Sequence, residues 1–250
     1  MPVYTSEALI LRTYKLGEAD RIVVFLTRDR GKKRGVAKGA RRVRSRYVGA
    51  LEPMTRADVA YYEREQRDLV RLNYVETLRS PLSGASGMSA EALGHVGYFA
   101  ELIDEWAPEA HADERLYRLG SSVVDAIGGG AAVGPLSRYF EYWLLRLQGV
   151  YPSFACAACG GSTRTGATMP PREDVLLCRE CAPAGGSSLS VAALRFLTGP
   201  AAQPPDRLTA DSLTEQASHE LETVHRRLLN LHLEKELKSA RVLREMRQAR

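Results

Sequence analysis

The sequence has no long apolar run. Its strongest apolar stretches near the N-terminus, Ala8–Leu11 and Ile22–Leu26, are only as long as β-strands. A membrane-spanning helix needs about 20 consecutive apolar residues, and a signal peptide needs an apolar core of about 7–15. We therefore expect no transmembrane segment, no signal peptide and no membrane partner, and we expect a cytoplasmic protein.

The sequence also lacks an assembled catalytic motif. There is no Walker loop, no Gly-x-Ser-x-Gly and no acidic cluster suited to two magnesium ions. His219-Glu220 lacks the second histidine of a zinc hydrolase, and the deaminase-like triplet His232–Glu234 follows the cysteines instead of preceding them. We interpret His225 and His232 as helix-surface residues. These absences predict a protein that is not an enzyme.

Cysteine is rare, and all four cysteines fall into two Cys-x-x-Cys pairs, Cys156/Cys159 and Cys178/Cys181, separated by 18 residues. This spacing is typical of a tetrahedral zinc site, and the glycines Gly160 and Gly161 suit a backbone that curls around a metal. Four thiolates leave no position for water, so we predict one structural Zn²⁺ ion. The alternatives are two disulfides, which the absence of a secretory signal disfavours, and four unrelated thiols.

Acidic residues are scarce in one segment. The net charge is +5, but residues 1–79 carry 18 Lys and Arg against 10 Asp and Glu. Between Arg28 and Arg46, ten basic residues accompany a single acid, Asp29. This concentration indicates a polyanion partner, most often nucleic acid. Nearby tyrosines offer rings for stacking on unpaired bases, although half-buried core positions are the alternative: Tyr14, Tyr47, Tyr61 and Tyr62.

The first 80 residues read as five short strands. We predict them at Glu7–Arg12, Arg21–Thr27, Arg34–Gly39, Leu51–Tyr62 and Leu69–Leu78. Five strands with a glycine-bearing middle predict a small closed barrel of the OB type, and an SH3-like barrel would read similarly.

From Ser80 the apolar period becomes helical. Met88–Trp106 predicts a helix that Ser89 caps and Pro108 ends, and two more apolar stripes end near Gly128 and Gly149. Leu189–Leu197 predicts a short helix. The last segment predicts one long helix from about Ala210 to Met246.

From Lys235 onward this last helix is basic at every third residue. The stripe comprises Lys235, Lys238, Arg241, Arg244, Arg247 and Arg250. It is either a second phosphate contact, through Lys235, Lys238 and Arg241, or a set of cations that complements the helix C-terminus.

The fold class is therefore α+β and multidomain, with an OB-type barrel followed by an all-α domain that holds an inserted four-cysteine zinc finger. We divide the chain into a barrel at 1–80, helical parts at 81–154 and 186–250, and the zinc module at 155–185.

Several runs resemble the bacterial recombination mediator family RecO. They are Glu7–Arg12, Gly17–Val23, Gly31–Arg42 and Leu51-Glu52-Pro53 followed by Tyr61-Tyr62. The cysteine pairs and the late Leu237-Lys238-Ser239 with Arg241 also fall where that family has them. The resemblance covers nearly the whole chain, and its N-terminal block is the specific part.

The resemblance implies binding to single- and double-stranded DNA and annealing of complementary strands. It implies partnership with RecR, with the C-terminal tail of single-strand-binding protein and in some cases with RecF, so that RecA is loaded. Its DNA contacts map here onto Lys32, Lys33, Arg34, Lys38, Arg41, Arg42 and Arg44, and the same basic segment adds Arg46. We hypothesise a non-enzymatic DNA repair and recombination mediator. The alternatives are a zinc-ribbon transcription or RNA-binding factor, and an adaptor that binds only proteins.

Overall fold

Five N-terminal strands close into a barrel in the computed structural model, which describes residues 2–64, 68–83, 88–109 and 111–248. The strands are β1 (Val3–Leu16), β2 (Asp20–Thr27), β3 (Gly31–Ala37), β4 (Arg56–Tyr62) and β5 (Leu69–Arg79). Their order is β1-β2-β3-β5-β4, with β4 pairing back onto β1 and with β3 parallel to β5. The expected OB-type barrel is confirmed.

Alternate residues along the strands fill the barrel interior, as the two-residue period of a strand requires. Val23 and Phe25 of β2 belong to the interior cluster, whereas the intervening Val24 does not. Tyr61 of β4 is fully buried, and its ring meets that of Phe25 edge-on at 5.7 Å. The outer faces of the strands are therefore available to helices and ligands.

The fourth strand begins at Arg56 and not at Leu51, so that prediction is wrong at its start. The buried Met54 has a left-handed backbone, with φ of 59°, which breaks the extended conformation. Its N–H donates to the carbonyl of Ile10 at 2.7 Å. Residues 51–55 thus form a turn that closes the barrel.

Two helices follow the barrel in sequence and pack against it. They are α1 (Ala90–Trp106) and α2 (Glu114–Gly128). The predicted cap is confirmed, because the Ser89 side chain accepts the N–H of Ala92 at 3.1 Å. Helix α2 crosses close to β1 at Gly120, where a Cβ atom would lie 2.5 Å from Leu9. Glycine is needed there for close approach, and a larger residue would push α2 off the barrel.

The predicted long C-terminal helix is wrong, because the chain forms two helices. They are α5 (Glu215–Leu233), which Thr214 caps, and α6 (Lys238–Gln248). Glu234 has a left-handed backbone with φ of 53° and ends α5. The basic stripe is consequently interrupted: Lys235 lies between the helices, and Lys238 begins α6. Arg250 lies outside the described residues.

The chain forms two compact units, Met1–Gly128 with Leu237–Arg250, and Gly129–Glu236. The first unit contains the barrel, α1, α2 and α6. The second contains α3 (Val133–Leu147), α4 (Val191–Thr198), α5 and three short strands, β6 (Ala167–Met169), β7 (Leu177–Cys178) and β8 (Ser187–Leu189). None of the described helices is long and apolar enough to cross a bilayer.

One buried carboxylate anchors α6 to α1. Glu101 of α1 accepts the backbone N–H of Ser239 at 2.8 Å and that of Lys238 at 3.3 Å, and it also accepts the Ser239 hydroxyl. These are the first two N–H groups of α6, which have no partner within the helix. Leu243 of α6 packs onto Gly94 of α1, where a Cβ atom would lie only 2.7 Å from the leucine.

We expect Glu101→Gln to destabilise the first unit by about 1–3 kcal/mol at pH 7, because buried donors lose their charged acceptor. Burial alone would raise the pKa of Glu101, but the hydrogen bonds from Ser239 lower it overall. A carboxyl whose folded pKa lies below its unfolded pKa of about 4.3 stabilises above that value, and the stabilisation disappears as the pH falls through the folded pKa. The difference between variant and parent in urea denaturation should therefore shrink below about pH 4.

The matched control is Glu114→Gln, which removes an exposed ion pair with Arg28 and should cost less than about 1 kcal/mol. Equal stabilities of Glu101→Gln and the parent at neutral pH would show that Glu101 does not anchor α6.

Candidate metal centre and nucleic-acid interface

The four cysteines converge on one point. Their Sγ atoms all lie within 4.8 Å of one another, and none is in a disulfide. The Sγ atoms of Cys159 and Cys178 are 3.8 Å apart. Tetrahedral Zn–S bonds of about 2.3 Å place two sulfurs about 3.8 Å apart, so the cluster has the dimensions of a metal shell. The disulfide alternative does not describe this arrangement.

Each cysteine pair lies on a tight turn that aims its thiols inward. Gly160 donates its N–H to the carbonyl of Cys156 at 2.8 Å, and Ala182 donates to that of Cys178 at 2.9 Å. Gly160 has a φ of +70°, a conformation that side chains other than glycine rarely adopt. The predicted need for glycine after the first pair is confirmed at this position.

The backbone around the cluster favours a thiolate. The N–H groups of Cys178 and Cys159 hydrogen-bond to Cys156 and lower the pKa of its thiol to about 6. A hydrogen bond with Cys178 raises the pKa of the Cys181 thiol to about 12. A thiol binds a cation as its thiolate, so binding releases the thiol proton. Four such ligands would hold a metal ion with no open coordination position.

A buried polar network that was not predicted from the sequence joins His225 of α5 to residues of the chain that precede the cysteines. His225 was expected on a helix surface, but it is fully buried, and its Nδ1 lies 2.9 Å from a carboxylate oxygen of Glu141. Glu141 pairs with Arg138 at 3.1 Å, and His225 Nε2 lies 3.4 Å from the hydroxyl of Tyr151. Burial lowers the pKa of His225, so it is neutral at pH 7 and donates Nδ1–H to Glu141.

This network fixes the point at which the chain enters the cysteine module, because Tyr151 stands only five residues before Cys156. The Tyr151 ring also packs edge-on against Tyr142 at 4.9 Å. Only the helical periodicity of α5 hinted at burial: His225 follows Leu221 by four residues and precedes Leu228 by three. Its polar partners in α3 gave no sequence signal.

The predicted DNA-contact residues divide into two groups. The three on β3 have acidic partners: Lys32 with Asp104 at 3.5 Å, Lys33 with Glu63 at 2.6 Å, and Arg34 with Glu109 at 3.0 Å. The side chains of Lys32 and Lys33 are only 10% and 13% exposed. These two lysines therefore present little charge to solvent.

The other five lie on the segment Lys38–Arg46, which we call the basic loop. All five cationic residues are exposed: Lys38, Arg41, Arg42, Arg44 and Arg46. Among the described residues, Lys38, Arg42 and Arg44 have no ion pair. This loop is the largest set of uncompensated positive charge in the predicted DNA-binding group.

The basic loop is held against the β1–β2 hairpin. Arg41 donates its backbone N–H to Ala19 at 2.9 Å and its guanidinium to the carbonyl of Gly17 at 2.7 Å. Gly39 donates to the carboxylate of Asp20 at 2.8 Å. Tyr47, at the end of the loop, is buried in the barrel core. The loop is thus anchored near its start by Gly39 and Arg41 and at its end by Tyr47.

The four tyrosines proposed for base stacking occupy different environments. Tyr47 and Tyr61 are 3% and 0% exposed, so neither ring can stack on a base, and the stacking prediction is wrong for both. Tyr62 is half-buried. Tyr14 is 47% exposed and is the one that offers an open ring.

An OB-type barrel with a basic loop and a helical unit with a four-cysteine cluster define a class of two-part proteins with a candidate metal site. Comparison with known proteins identifies the family. The N-terminal model of recombination protein O matches residues 1–81, and the C-terminal model of the same family matches residues 89–241.

Curated relatives agree with these matches. The chain is 35% identical over 240 residues to the DNA repair protein RecO of Koribacter versatilis, covering 95% of this chain and 97% of that protein. It is 33% identical over 251 residues to RecO of Desulforudis audaxviator, covering 98% of both. RecO of Anaeromyxobacter sp. strain K is 35% identical over 234 residues, covering 85% of this chain and 89% of that protein. The chain belongs to the RecO family.

Removing one sulfur should unfold the metal module, because its short strands depend on the cluster for their geometry. We expect Cys156→Ser to lower the melting temperature of the second unit by on the order of 10 °C. A strong chelator should produce the same loss in the parent and no further loss in the variant. Calorimetry with and without the chelator measures both.

Ser188→Ala on β8, an exposed position away from the sulfurs, is the matched control and should melt like the parent. If the chelator leaves the melting profile of the parent unchanged, the cluster is not a metal site that supports the fold.

Proposed function

We propose that this protein is a non-enzymatic DNA repair and recombination mediator of the cytoplasm that binds single- and double-stranded DNA. The main support for this proposal is the set of five exposed cations on the basic loop, which Arg41 ties to the β1–β2 hairpin. Membership of the RecO family supports the assignment to repair and recombination. We expect Lys32, Lys33 and Arg34 to contribute less to DNA binding than the loop cations do, because each is paired with an acidic residue.

The proposed activity is annealing of complementary strands. Two polyanions repel each other, and a cationic surface that holds both lowers that repulsion and raises their local concentration. No bond is made or broken, so neither a nucleotide nor a catalytic side chain is required. In this scheme the cysteine cluster holds one Zn²⁺ ion, and the ion stabilises the fold without touching DNA.

We further propose that the protein acts with RecR and in some settings with RecF, and that it meets the C-terminal tail of single-strand-binding protein while assisting RecA loading. These partners come from the family and not from a surface of this chain. Residues 1–80 would bind DNA, and residues 155–185 would bind the metal ion. Of the C-terminal cations, Lys238 and Arg241 remain exposed on α6 and are candidates for a second DNA contact, whereas Lys235 lies outside that helix.

Charge removal from the basic loop should weaken DNA binding in a salt-dependent manner. If all five loop cations contact phosphate, the logarithmic salt slope is about −3.5 on single strands, and affinity falls by about 100-fold between 50 and 200 mM salt. The triple variant Lys38→Ala, Arg42→Ala, Arg44→Ala should make that slope smaller by about 2. Fluorescence anisotropy across a salt series measures it.

A second triple variant, Arg115→Ala, Arg118→Ala, Arg195→Ala, removes the same charge from exposed helix positions and serves as the matched control. Its slope should equal that of the parent. Equal slopes for both triple variants would mean that net charge, and not the basic loop, governs binding.

The annealing activity is tested with two complementary labelled oligonucleotides of mixed sequence. We expect the parent to accelerate duplex formation without ATP and with little preference for sequence, and the loop triple variant to lose most of the acceleration. A parent that binds one DNA sequence far more tightly than unrelated sequences would instead support a sequence-reading factor.

A further inference from the structure

The connection between α1 and α2 lies along the hairpin that joins β2 to β3. Lys32 of β3 donates its backbone N–H to the carbonyl of Pro108 at 3.0 Å. The connection also approaches the hairpin turn closely, because a Cβ atom on Gly31 would lie 2.3 Å from the carbonyl oxygen of His111. The pairing of β3 with β5 covers residues 34–36, so the connection lies beside the start of β3 and not beside that pairing.

Three acidic residues in and around this connection pair with three cations of the hairpin. We call the acids Asp104, Glu109 and Glu114 the acidic strap. The pairs are Asp104 with Lys32 at 3.5 Å, Glu109 with Arg34 at 3.0 Å, and Glu114 with Arg28 at 3.1 Å. Carboxylates and phosphates bind the same cationic groups through the same charge-assisted hydrogen bonds. The acidic strap therefore occupies hairpin cations that could otherwise bind phosphate.

The three pairs differ in how easily they can be exchanged. The side chains of Asp104 and Lys32 are only 14% and 10% exposed, and Lys32 also donates to the backbone carbonyl of Asp104 at 2.5 Å, so this pair fixes the strap to β3.

The other two pairs are open to solvent, because all four of their side chains are 54–66% exposed. Exposed ion pairs are weak, and another anion can replace the carboxylate. A carboxylate that is tethered beside its cation nevertheless has a high effective concentration there. Glu109 and Glu114 are thus exchangeable but always close to Arg34 and Arg28.

We propose that Glu109 and Glu114 are an intramolecular competitor of DNA, which holds Arg34 and Arg28 in place of phosphates. A DNA strand on the hairpin has to displace two tethered carboxylates, so the strap lowers the affinity of the protein for DNA. This inference rests on the proposed DNA-binding function, but it concerns the β2–β3 hairpin and not the basic loop. A limit on affinity suits the proposed annealing, because the protein must release the duplex that it forms.

The test removes the two exchangeable carboxylates and measures the affinity for a single-stranded oligonucleotide by fluorescence anisotropy at one salt concentration. The double variant Glu109→Gln, Glu114→Gln keeps the size of both side chains and removes their charge. We expect it to bind the strand about 2- to 30-fold more tightly than the parent does, which is the factor that corresponds to two exposed ion pairs.

Two controls separate competition from a change in net charge. The double variant Glu52→Gln, Glu76→Gln removes two exposed acids of the barrel outside the strap, and salt should screen its effect on affinity to less than about 2-fold.

The second control repeats the strap substitutions in a protein that carries Arg28→Gln and Arg34→Gln. A competitor acts only through the cations that it occupies, so the gain in affinity should disappear in this background.

The inference is overturned if the strap variant binds the strand no more tightly than the parent does. It is also overturned if the Glu52 and Glu76 variant gains as much affinity, or if the gain persists without Arg28 and Arg34, since net charge would then explain it. Each of these results, with a parent that binds DNA, refutes the competitor alone. A parent that binds no DNA at low salt refutes the proposed function as well.

Discussion

The anchoring of the basic loop is the constraint on which the functional surface depends. Hydrogen bonds from Arg41 and Gly39 hold the loop to the β1–β2 hairpin, and Tyr47 buries its far end in the barrel. Ion pairing then determines which cations can bind a phosphate. Lys32 and Lys33 on β3 are paired with acidic residues. Lys38, Arg42 and Arg44 have no acidic partner among the described residues. A lysine that is buried and already paired with an acid gains little from exchanging that partner for a phosphate. We therefore expect phosphates to bind first at the basic loop, where three cations have no acidic partner.

The second unit depends on a different constraint, which is the geometry of four sulfurs. Its strands β6, β7 and β8 are two or three residues long and could not stand alone as a sheet. The cluster ties β7 to the turn that starts at Cys156, and the buried pair of Glu141 and His225 fixes the chain just before it. The cysteine cluster and the buried polar contacts thus add to the few buried apolar side chains of this short sheet, Ala167, Met169 and Leu189.

Local signals in the sequence predicted much of this structure. The two-residue period predicted the barrel strands, Ser89 marked the start of α1, and the cysteine spacing predicted that the four sulfurs converge. Contacts between residues that are distant in sequence could not be predicted. Lys32 contacts Asp104, which lies 72 residues further along the chain, and His225 contacts Glu141, which lies 84 residues earlier. The break at Glu234 contains neither glycine nor proline, so the helical pattern ran through it. Glu101, which caps the helix that follows, is 137 residues distant from Lys238.

The central claim is that the free arginines of the basic loop contact DNA phosphates. Arginine-specific chemical modification followed by mass spectrometry, with and without a bound single strand, tests it at each position. The account predicts that DNA protects Arg42 and Arg44, while Arg115 and Arg118 on the exposed side of α2 react equally in both states. Loop arginines that stay fully reactive under saturating DNA would contradict it.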